Sequence, residues 1–273
     1  MKLEFFEFFD KYTFVFSTIY TIITTVVGVI IAKVSVKIKQ YKIRKCLSLT
    51  RNDCRIILPS YEKTLHNTTD IIPVCPIGDI KAASNIIDLI NKTGLYTHQN
   101  SIFYEDTYND NFDKYNIFCI GGSLANQYSY DIFKQFFPNF KILAPEEKIR
   151  TNPNGIPAED FVMSNGERGF CWGNLPKQQY IINNDERYAI IVKLSNKDFD
   201  IKNHGTIHIL FGNGLEGTLA ISKYLLHDYK DLYKKVKRKR HYFIAFKVKR
   251  NTGIIDANSF VDLTEEMFVN NGK

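Results

Sequence analysis

The sequence predicts an α/β domain with a mainly parallel, Rossmann-like sheet and helices on both faces, preceded by one transmembrane helix. Three observations carry this. Apolar strand-like runs alternate with helical patterns beyond residue 50, the order that builds sheets covered by helices. Two of those runs, YNIFCI at 115–120 and IHILF at 207–211, have little polar alternation, the mark of strands buried on both faces. Residues 13–32 carry no charge, and about twenty residues rising about 1.5 Å each cover a hydrocarbon core of about 30 Å.

At 273 residues with 44% hydrophobic content, the chain has apolar mass for one large domain or two small ones, which excludes a disordered polymer. The 36 Lys and Arg against 29 Asp and Glu give a net charge of +7, with the excess gathered in two runs, 33–45 and 234–240. Cys46, Cys54, Cys75, Cys119 and Cys171 are widely spaced with no C-x-x-C pair. They read as reduced thiols of a cytoplasmic domain, not as a disulfide framework or metal ligands.

Glu4, Glu7 and Asp10 precede the apolar run, and Lys33, Lys37, Lys39, Lys42, Arg44 and Lys45 follow it with no acid before Asp53. A cleaved signal peptide has positive charge first and a small-residue cleavage site after, whereas basic residues behind a span hold that side in the cytoplasm. The expected layout is a short extracytoplasmic N-terminus (1–12), a transmembrane helix (13–36), a basic juxtamembrane linker suited to anionic lipid (37–50) and a cytosolic domain (51–273). Phe5, Phe6, Phe8, Phe9 and Tyr12 fit an aromatic belt on the far face of the membrane. Thr18, Thr21, Thr25, Gly28, Ala32 and Ser35 recur every three or four residues, a small-residue stripe along which two copies can pack, so a homo-oligomer is expected. Abundant threonine in a β-branched segment is the competing explanation.

In the domain, 55–60 reads as a short strand closed by Pro59. Residues 79–92 read as a helix with Ile80, Ala83, Ile86, Ile87 and Ile90 on one face, Asp79 as N-cap and Gly94 beyond its end. Strands follow at 101–104 and 115–120, then a helix to about Phe137. Residues 152–184, rich in Asn, Gly and Pro and holding the single tryptophan, Trp172, read as an insertion or lid. Residues 180–195 read as a hairpin turning near 183–185. A strand, a glycine loop and a helix then begin at 207, and 241–248 is the last strand.

The chemistry-bearing signal is a pair of glycine loops at strand ends. The strand at 115–120 runs into Gly121, Gly122, Ser123 and Asn126, and that at 207–211 runs into GNGLEGT, where Gly212, Gly214 and Gly217 spell G-x-G-x-x-G. Glycine there lets the backbone turn tightly and approach a phosphate, and the helix that follows presents free N–H groups and the positive end of its dipole. Ligands of open α/β sheets sit outside the carboxyl ends of the strands, so both loops should open onto one edge. Ser123, Asn126 and Thr218 would add side-chain donors or helix caps. The same glycines also serve where a helix merely packs close on a sheet, and that reading stays open.

A dinucleotide oxidoreductase does not fit, because the strand after the loop carries no acid for a ribose. Glu216, inside the loop, repels a phosphate unless it turns away or meets a sugar hydroxyl. Glu105 and Asp106, at a strand end, are candidates for ribose contact or catalysis, with Glu159 and Glu216 as further carboxylates; a solvated strand end is their plainer alternative. His204 and His208 are four apart but His208 lies on a strand, so no metal site is expected. Neither H-E-x-x-H nor G-x-S-x-G occurs. The run KKVKRKR at 234–240 is a solvated helix end, a lipid contact or an entrance that concentrates anions near the site. Nucleic-acid binding is not expected, since no reader-module pattern accompanies it.

Strand-GGS-x-x-N (Gly121, Gly122, Ser123, Asn126) followed by strand-GNGLEGT-helix (Gly212, Asn213, Gly214, Gly217, Thr218) resembles the Rossmann-like nucleotide-sensing and nucleotide-processing domains of bacterial defence systems, the SLOG class among them. Its coupling to one transmembrane helix is similar to membrane-anchored effectors of those systems. The resemblance implies a nucleotide-type ligand and assigns Gly121, Gly122, Gly214, Gly217 and Thr218 to phosphate or ribose contacts. Ser123 and Asn126 stand where the family has a longer glycine run, and no second acidic motif follows Thr218. Three functions follow as expectations: a membrane-anchored sensor or effector that binds a nucleotide-type ligand in antiviral defence, a tethered enzyme cleaving or transferring on a nucleotide or NAD-like substrate, and a tethered scaffold with structural glycine loops.

Overall fold

The computed structural model describes residues 2–64, 71–104, 115–123, 125–144, 161–164, 167–172, 178–195, 205–236 and 239–268, with backbone alone for 2–11, 61–64, 71–73, 96–104, 144 and 161. It divides into two units, residues 1–43 and 44–273.

The first unit is helix α1 (Lys2–Leu47), whose last turn belongs to the second. Its segment Tyr12–Leu47 is long and apolar enough to cross a membrane. The helix runs unbroken through most of the stretch read as a linker. Along the small-residue stripe, Thr18, Thr21 and Thr25 donate their hydroxyls to the carbonyls of Phe14, Ser17 and Thr21, at 2.9, 2.8 and 2.7 Å. This satisfies the hydroxyls inside the helix and leaves the stripe a smooth surface, with no atom within 4 Å of a Cβ placed on Gly28.

The second unit holds, in chain order, β1 (Asp53–Leu58), β2 (Tyr61–Thr64), β3 (Ile71–Val74), α2 (Ile77–Thr93), β4 (Tyr96–Tyr104), β5 (Tyr115–Ile120), α3 (Gln127–Phe136), β6 (Lys141–Ala144), β7 (Phe161–Met163), β8 (Arg168–Trp172) and β9 (Gln178–Ile182). There follow β10 (Glu186–Leu194), β11 (Ile207–Gly212), α4 (Gly214–Lys235), β12 (Tyr242–Lys249), β13 (Ile254–Ile255), β14 (Val261–Asp262) and α5 (Thr264–Phe268). The main sheet has the order β13-β12-β10-β11-β5-β1-β4, with β14 on β12. β4, β1, β5 and β11 are mutually parallel, while β10, β12, β13 and β14 join antiparallel.

The sheet is therefore mixed, and the expectation of a mainly parallel one holds for one half only. The apolar runs of β10 and β12 report burial on both faces, which here comes from helix α4 on one side and a second sheet on the other. They carry no information about strand direction. That second sheet, β7-β6-β8-β9, takes up the described part of the segment read as an insertion. It also corrects the hairpin at 180–195: the turn at 183–185 exists, but β9 pairs with β8 and β10 with β11 and β12. Tyr180 and Ile182 on β9 and Tyr188 and Ile190 on β10 instead face into one shared core.

Alternation along the strands splits the apolar residues between two layers. Ile117, Cys119, Ile209, Phe211, Ile190 and Phe243 join Phe133, Phe137 and Phe140 of the α3 region and Phe170, Trp172 and Tyr180 of the second sheet. Phe133 meets Phe211 edge-on at 5.4 Å and Phe170 stacks on Tyr180 at 4.9 Å, geometries that favour aromatic pairs beyond their burial. The other face, with Ile56, Phe118, Leu210 and Ile244 buried, is covered by α2 and α4. These two helices pack along one another, with Asn85 Nδ2 donating to Ser222 Oγ at 3.0 Å. Gly94 ends α2 in the left-handed conformation, φ 67°, which glycine adopts without strain. Asp79 is not the N-cap: Pro76 holds that position and makes no side-chain cap.

At the amino edge of the parallel strands the chain enters through a buried polar knot. Asn116 accepts from the backbone N–H groups of Thr50, Arg51 and Thr206 at 3.1, 3.3 and 3.4 Å and donates to Arg51 O at 2.8 Å. Lys193, 1% exposed, donates to Ser48 Oγ at 2.9 Å and Lys239 O at 2.8 Å, and burial lowers its pKa to about 8. Beside it, His208 stacks on Phe118 with ring centroids 4.8 Å apart. Burial, then the Lys193 charge, pushes its pKa down to about 3, so the imidazole is neutral. All five cysteines are free thiols. Burial pushes the Cys54 and Cys75 thiols up to about 12, which leaves them protonated and unreactive.

Candidate functional site

At the opposite, carboxyl edge, β5 and β11 are adjacent and parallel, so the two glycine loops emerge side by side. Gly121 N donates to Leu210 O at 2.9 Å, and a Cβ on Gly122 would lie 2.6 Å from the Phe211 ring. The sequence expectation that both loops open on one edge matches this geometry, but the two loops differ in what they leave available.

The first loop is satisfied internally. Gly121 sits at φ 96°, and its carbonyl accepts from Ser129 Oγ at 2.7 Å. Asn126, 2% exposed, caps α3: its Oδ1 accepts from Ser129 N at 3.3 Å and its Nδ2 donates to Ile120 O at 3.1 Å. A capped helix start has little left to offer an anion. Ser123, half-buried, lines a cavity of about 190 Å³ on the α3 face together with Tyr130, Lys134, Lys141 and the edges of Phe133, Phe137 and Phe140.

The second loop is open. Asn213 is the N-cap of α4 but makes no side-chain cap; its N–H is spent on Tyr188 O at 3.0 Å. Gly214 has φ 78°, a left-handed conformation that a β-branched residue resists. Gly212 and Gly217 contact one another and Tyr188 O, which is what lets α4 start flush against the sheet. Thr218 is buried in α4.

Charge gathers at this open helix start. A Cβ on Gly214 would stand 3.7 Å from Arg187 Nε and 3.1 Å from Glu216 Oε2, so both side chains border the loop. Arg187 donates Nη1 to Glu186 O at 2.8 Å. Burial lowers its pKa, then the Arg250 charge, with Glu216 opposing and Arg168 adding to the fall. Arg187 and Glu216 thus border the positive end of α4, and the charges of Arg250 and Arg168 reach Arg187, which makes the local field positive with one opposing carboxylate. The sequence reading missed all three, because Arg168, Arg187 and Arg250 come from separate strands, β8, β10 and the end of β12, and no motif links them. Antiparallel pairing of Ala189 with Gly212 places Arg187, two residues earlier, level with Gly214.

α2 also starts at this edge. A Cβ on Gly78 would lie 2.7–2.9 Å from the Leu215 side chain, so the first turns of α2 and α4 touch. Asp79 follows directly. It is 6% exposed, and burial raises its pKa to about 6.

The basic run lies elsewhere. Lys234 and Lys235 occupy the last turn of the 22-residue α4, which kinks at Asp228, and the Lys239 carbonyl just beyond accepts from Lys193 at the amino edge of the parallel strands, at 2.8 Å. Lys235 pairs with Asp231 at 3.2 Å and Lys239 with Asp262 at 2.8 Å. The reading of this run as an entrance to the glycine loops is therefore corrected: strand, loop and helix are consecutive in sequence, but a helix that spans the sheet carries its far end to the other edge. Glu105, Asp106, Glu159, Lys237 and Arg238 lie outside the described residues. No cluster of three or more His, Cys, Asp or Glu with metal-binding geometry occurs among the described residues. No family model, curated protein or solved structure matches the chain.

Proposed function

We propose that the chain is a membrane-anchored sensor or effector, single-pass with its N-terminus outside, whose cytosolic Rossmann-like domain binds a nucleotide-type ligand. The observation that supports it best is the uncapped start of α4 at Gly214, bordered by Arg187 and within the field of Arg168 and Arg250. Backbone N–H groups, the helix dipole and the Arg187 guanidinium at this edge support an anion site, with Glu216 as the opposing charge, where open α/β sheets take phosphate-bearing ligands. The first glycine loop lies beside it on the same edge, with Ser123 lining the cavity on the α3 face. The basic stretch 33–45 supports a cytoplasmic domain and a contact with anionic lipid. The small-residue stripe of α1 supports self-association, and the resemblance noted above extends the proposal to an effector of bacterial antiviral defence.

The test is ligand-induced thermal stabilisation of the full chain in micelles by a panel of nucleoside phosphates. A specific ligand at about 100 times its dissociation constant adds about 2.7 kcal/mol. Gly214→Val and Arg187→Gln should remove that increment. A folded Gly214→Val chain that keeps all of it makes the loop a packing element and the tethered scaffold the better reading. A second reading, a tethered enzyme acting on a nucleotide or NAD-like substrate, is favoured by the carboxylate of Asp79 at the same edge; turnover of the panel separates it from a sensor.

A further inference from the structure

The cleft that Ser123 borders is built by the end of α3. Tyr130, Phe133, Lys134 and Phe137 lie at spacings of 3, 1 and 3, so all four share one face of the helix. Pro138 disfavours helical backbone in the residue before it, and Phe137 leaves the helix at φ −133°, ψ 52°. A tight turn follows, with Phe140 N donating to Phe137 O at 2.9 Å, and it returns Phe140, Lys141 and Ile142 to that same face. Helix, turn and strand thereby enclose the cavity of about 190 Å³.

Its lining is graded from apolar to cationic. Phe133, Phe137 and Phe140 are buried, and Phe133 meets the other two rings at 5.2 and 5.0 Å, which makes a fixed aromatic floor. Ser123, Tyr130 and Lys141 are half-buried and Lys134 is exposed, which makes a polar rim carrying two cations. Lys134 Nζ lies 5.7 Å from the centroid of the Tyr130 ring, so its charge stands beside the wall. Among the described residues no Asp or Glu lines the cavity, and Asp131, the nearest acid along the chain, accepts from Gln127 Nε2 at 2.9 Å.

Size and charge together select the occupant. An apolar cavity of about 150 Å³ holds benzene, and ligands of drug size need about 300–1,000 Å³. The cleft therefore fits one ring with one small substituent, and not a nucleotide. A ring on the floor gains the offset or edge-on contacts that aromatic pairs favour, while a substituent at the rim meets two ammonium groups, to which an anion is the complement. We propose that this cleft is a second binding site, for a one-ring aromatic carboxylate, with the ring on Phe133, Phe137 and Phe140 and the carboxylate beside Lys134 and Lys141. The site does not depend on the anion reading at the start of α4.

The experiment uses the full chain in micelles at neutral pH, with titration calorimetry of benzoate, benzamide (the ring without the charge), cyclohexanecarboxylate (the charge and size without the aromatic ring) and acetate (the charge alone). Benzoate should bind at least about tenfold tighter than benzamide and acetate, and at least about threefold tighter than cyclohexanecarboxylate. Lys134→Gln should weaken benzoate at least about fivefold and leave benzamide within about twofold, and Lys134→Arg should keep benzoate within about twofold of the parent. Lys234→Gln, which removes the same charge from the last turn of α4, should change nothing. Absence of benzoate binding in the millimolar range, benzamide or cyclohexanecarboxylate binding as tightly as benzoate, or equal weakening by Lys134→Gln and Lys234→Gln overturns the proposal. Arg187→Gln separates the two sites: benzoate binding that survives it supports the cleft, and benzoate binding that it removes while Lys134→Gln does not puts the carboxylate at the start of α4 and overturns the cleft site.

Discussion

Gly212 and Gly217 lie back to back: a Cβ on Gly212 would come within 2.5 Å of the Gly217 Cα, and a Cβ on Gly217 within 2.8 Å of the Gly212 Cα. Each would also be 2.4 Å from Tyr188 O. The obstructing atoms are backbone, held by the β10–β11 ladder and by α4, so no rotamer change relieves the clash. Gly217→Ala should therefore destabilise the domain by about 3 kcal/mol, as overpacking against fixed atoms does. Gly214→Ala should lose about 1–2 kcal/mol, through its left-handed φ alone. Urea unfolding of the two variants measures the order. A milder effect at Gly217 than at Gly214 would mean that α4 can slide away from the sheet.

Asn116 is the second structural hub. Its side chain closes hydrogen bonds to Thr50, Arg51 and Thr206 while fully buried. Truncation leaves several backbone groups without partners in a sealed place, each unmade bond being worth about 1–3 kcal/mol. Asn116→Ala should destabilise by about 3 kcal/mol, and amide exchange should accelerate first at Thr50, Arg51 and Thr206. Uniform acceleration across the domain would show that the knot is not a local fastening.

The sequence displayed most of the elements and the glycine loops of the candidate site. Continuous apolar runs marked β5, β11 and β12, and Gly94 marked the end of α2, because those signals are local. Strand direction was not legible: β10 reverses the sheet for reasons that lie in where the chain crosses, between β9 in one sheet and β10 in the other. The glycine loops were legible by spacing, and their shared edge by the rule that parallel strands end together. What each glycine does was not, since Gly212, Gly214 and Gly217 differ only in what stands opposite. Arg187 was invisible beside the glycine loop, because it is placed there by cross-strand pairing. Asp79 had an obvious local role as a cap, and Pro76 holds that position instead.

Lys193 gives the pH dependence a sign. Its pKa falls from 10.5 unfolded to about 8 folded, so between those values the unfolded chain holds the extra proton and stability rises with pH. The contribution is complete above about pH 10.5 and lost as pH falls through about 8, with a span of about 3 kcal/mol. Lys193→Met, which cannot titrate, should show a stability difference from the parent that grows in the parent's favour from pH 8 to pH 10. A flat difference would mean that the hydrogen bonds to Ser48 and Lys239 hold the ammonium charged.

Topology rests on charge order around one span. Six basic residues, Lys33, Lys37, Lys39, Lys42, Arg44 and Lys45, follow the apolar run before any acid, and Glu4, Glu7 and Asp10 precede it. Orientation follows Lys and Arg near the span ends, so a reporter fused after Lys273 should be active only as a cytoplasmic reporter, and the chain should retain its N-terminus by intact mass. A signal sequence passes the same length and hydropathy test, and it makes the opposite prediction on both counts: a processed N-terminus and an exported domain. Replacing the six basic residues by glutamine separates the causes. If charge sets the orientation, the reporter signal should become mixed while membrane retention persists, because the apolar length is unchanged. A signal that stays wholly cytoplasmic would assign the orientation to folding of the domain before insertion.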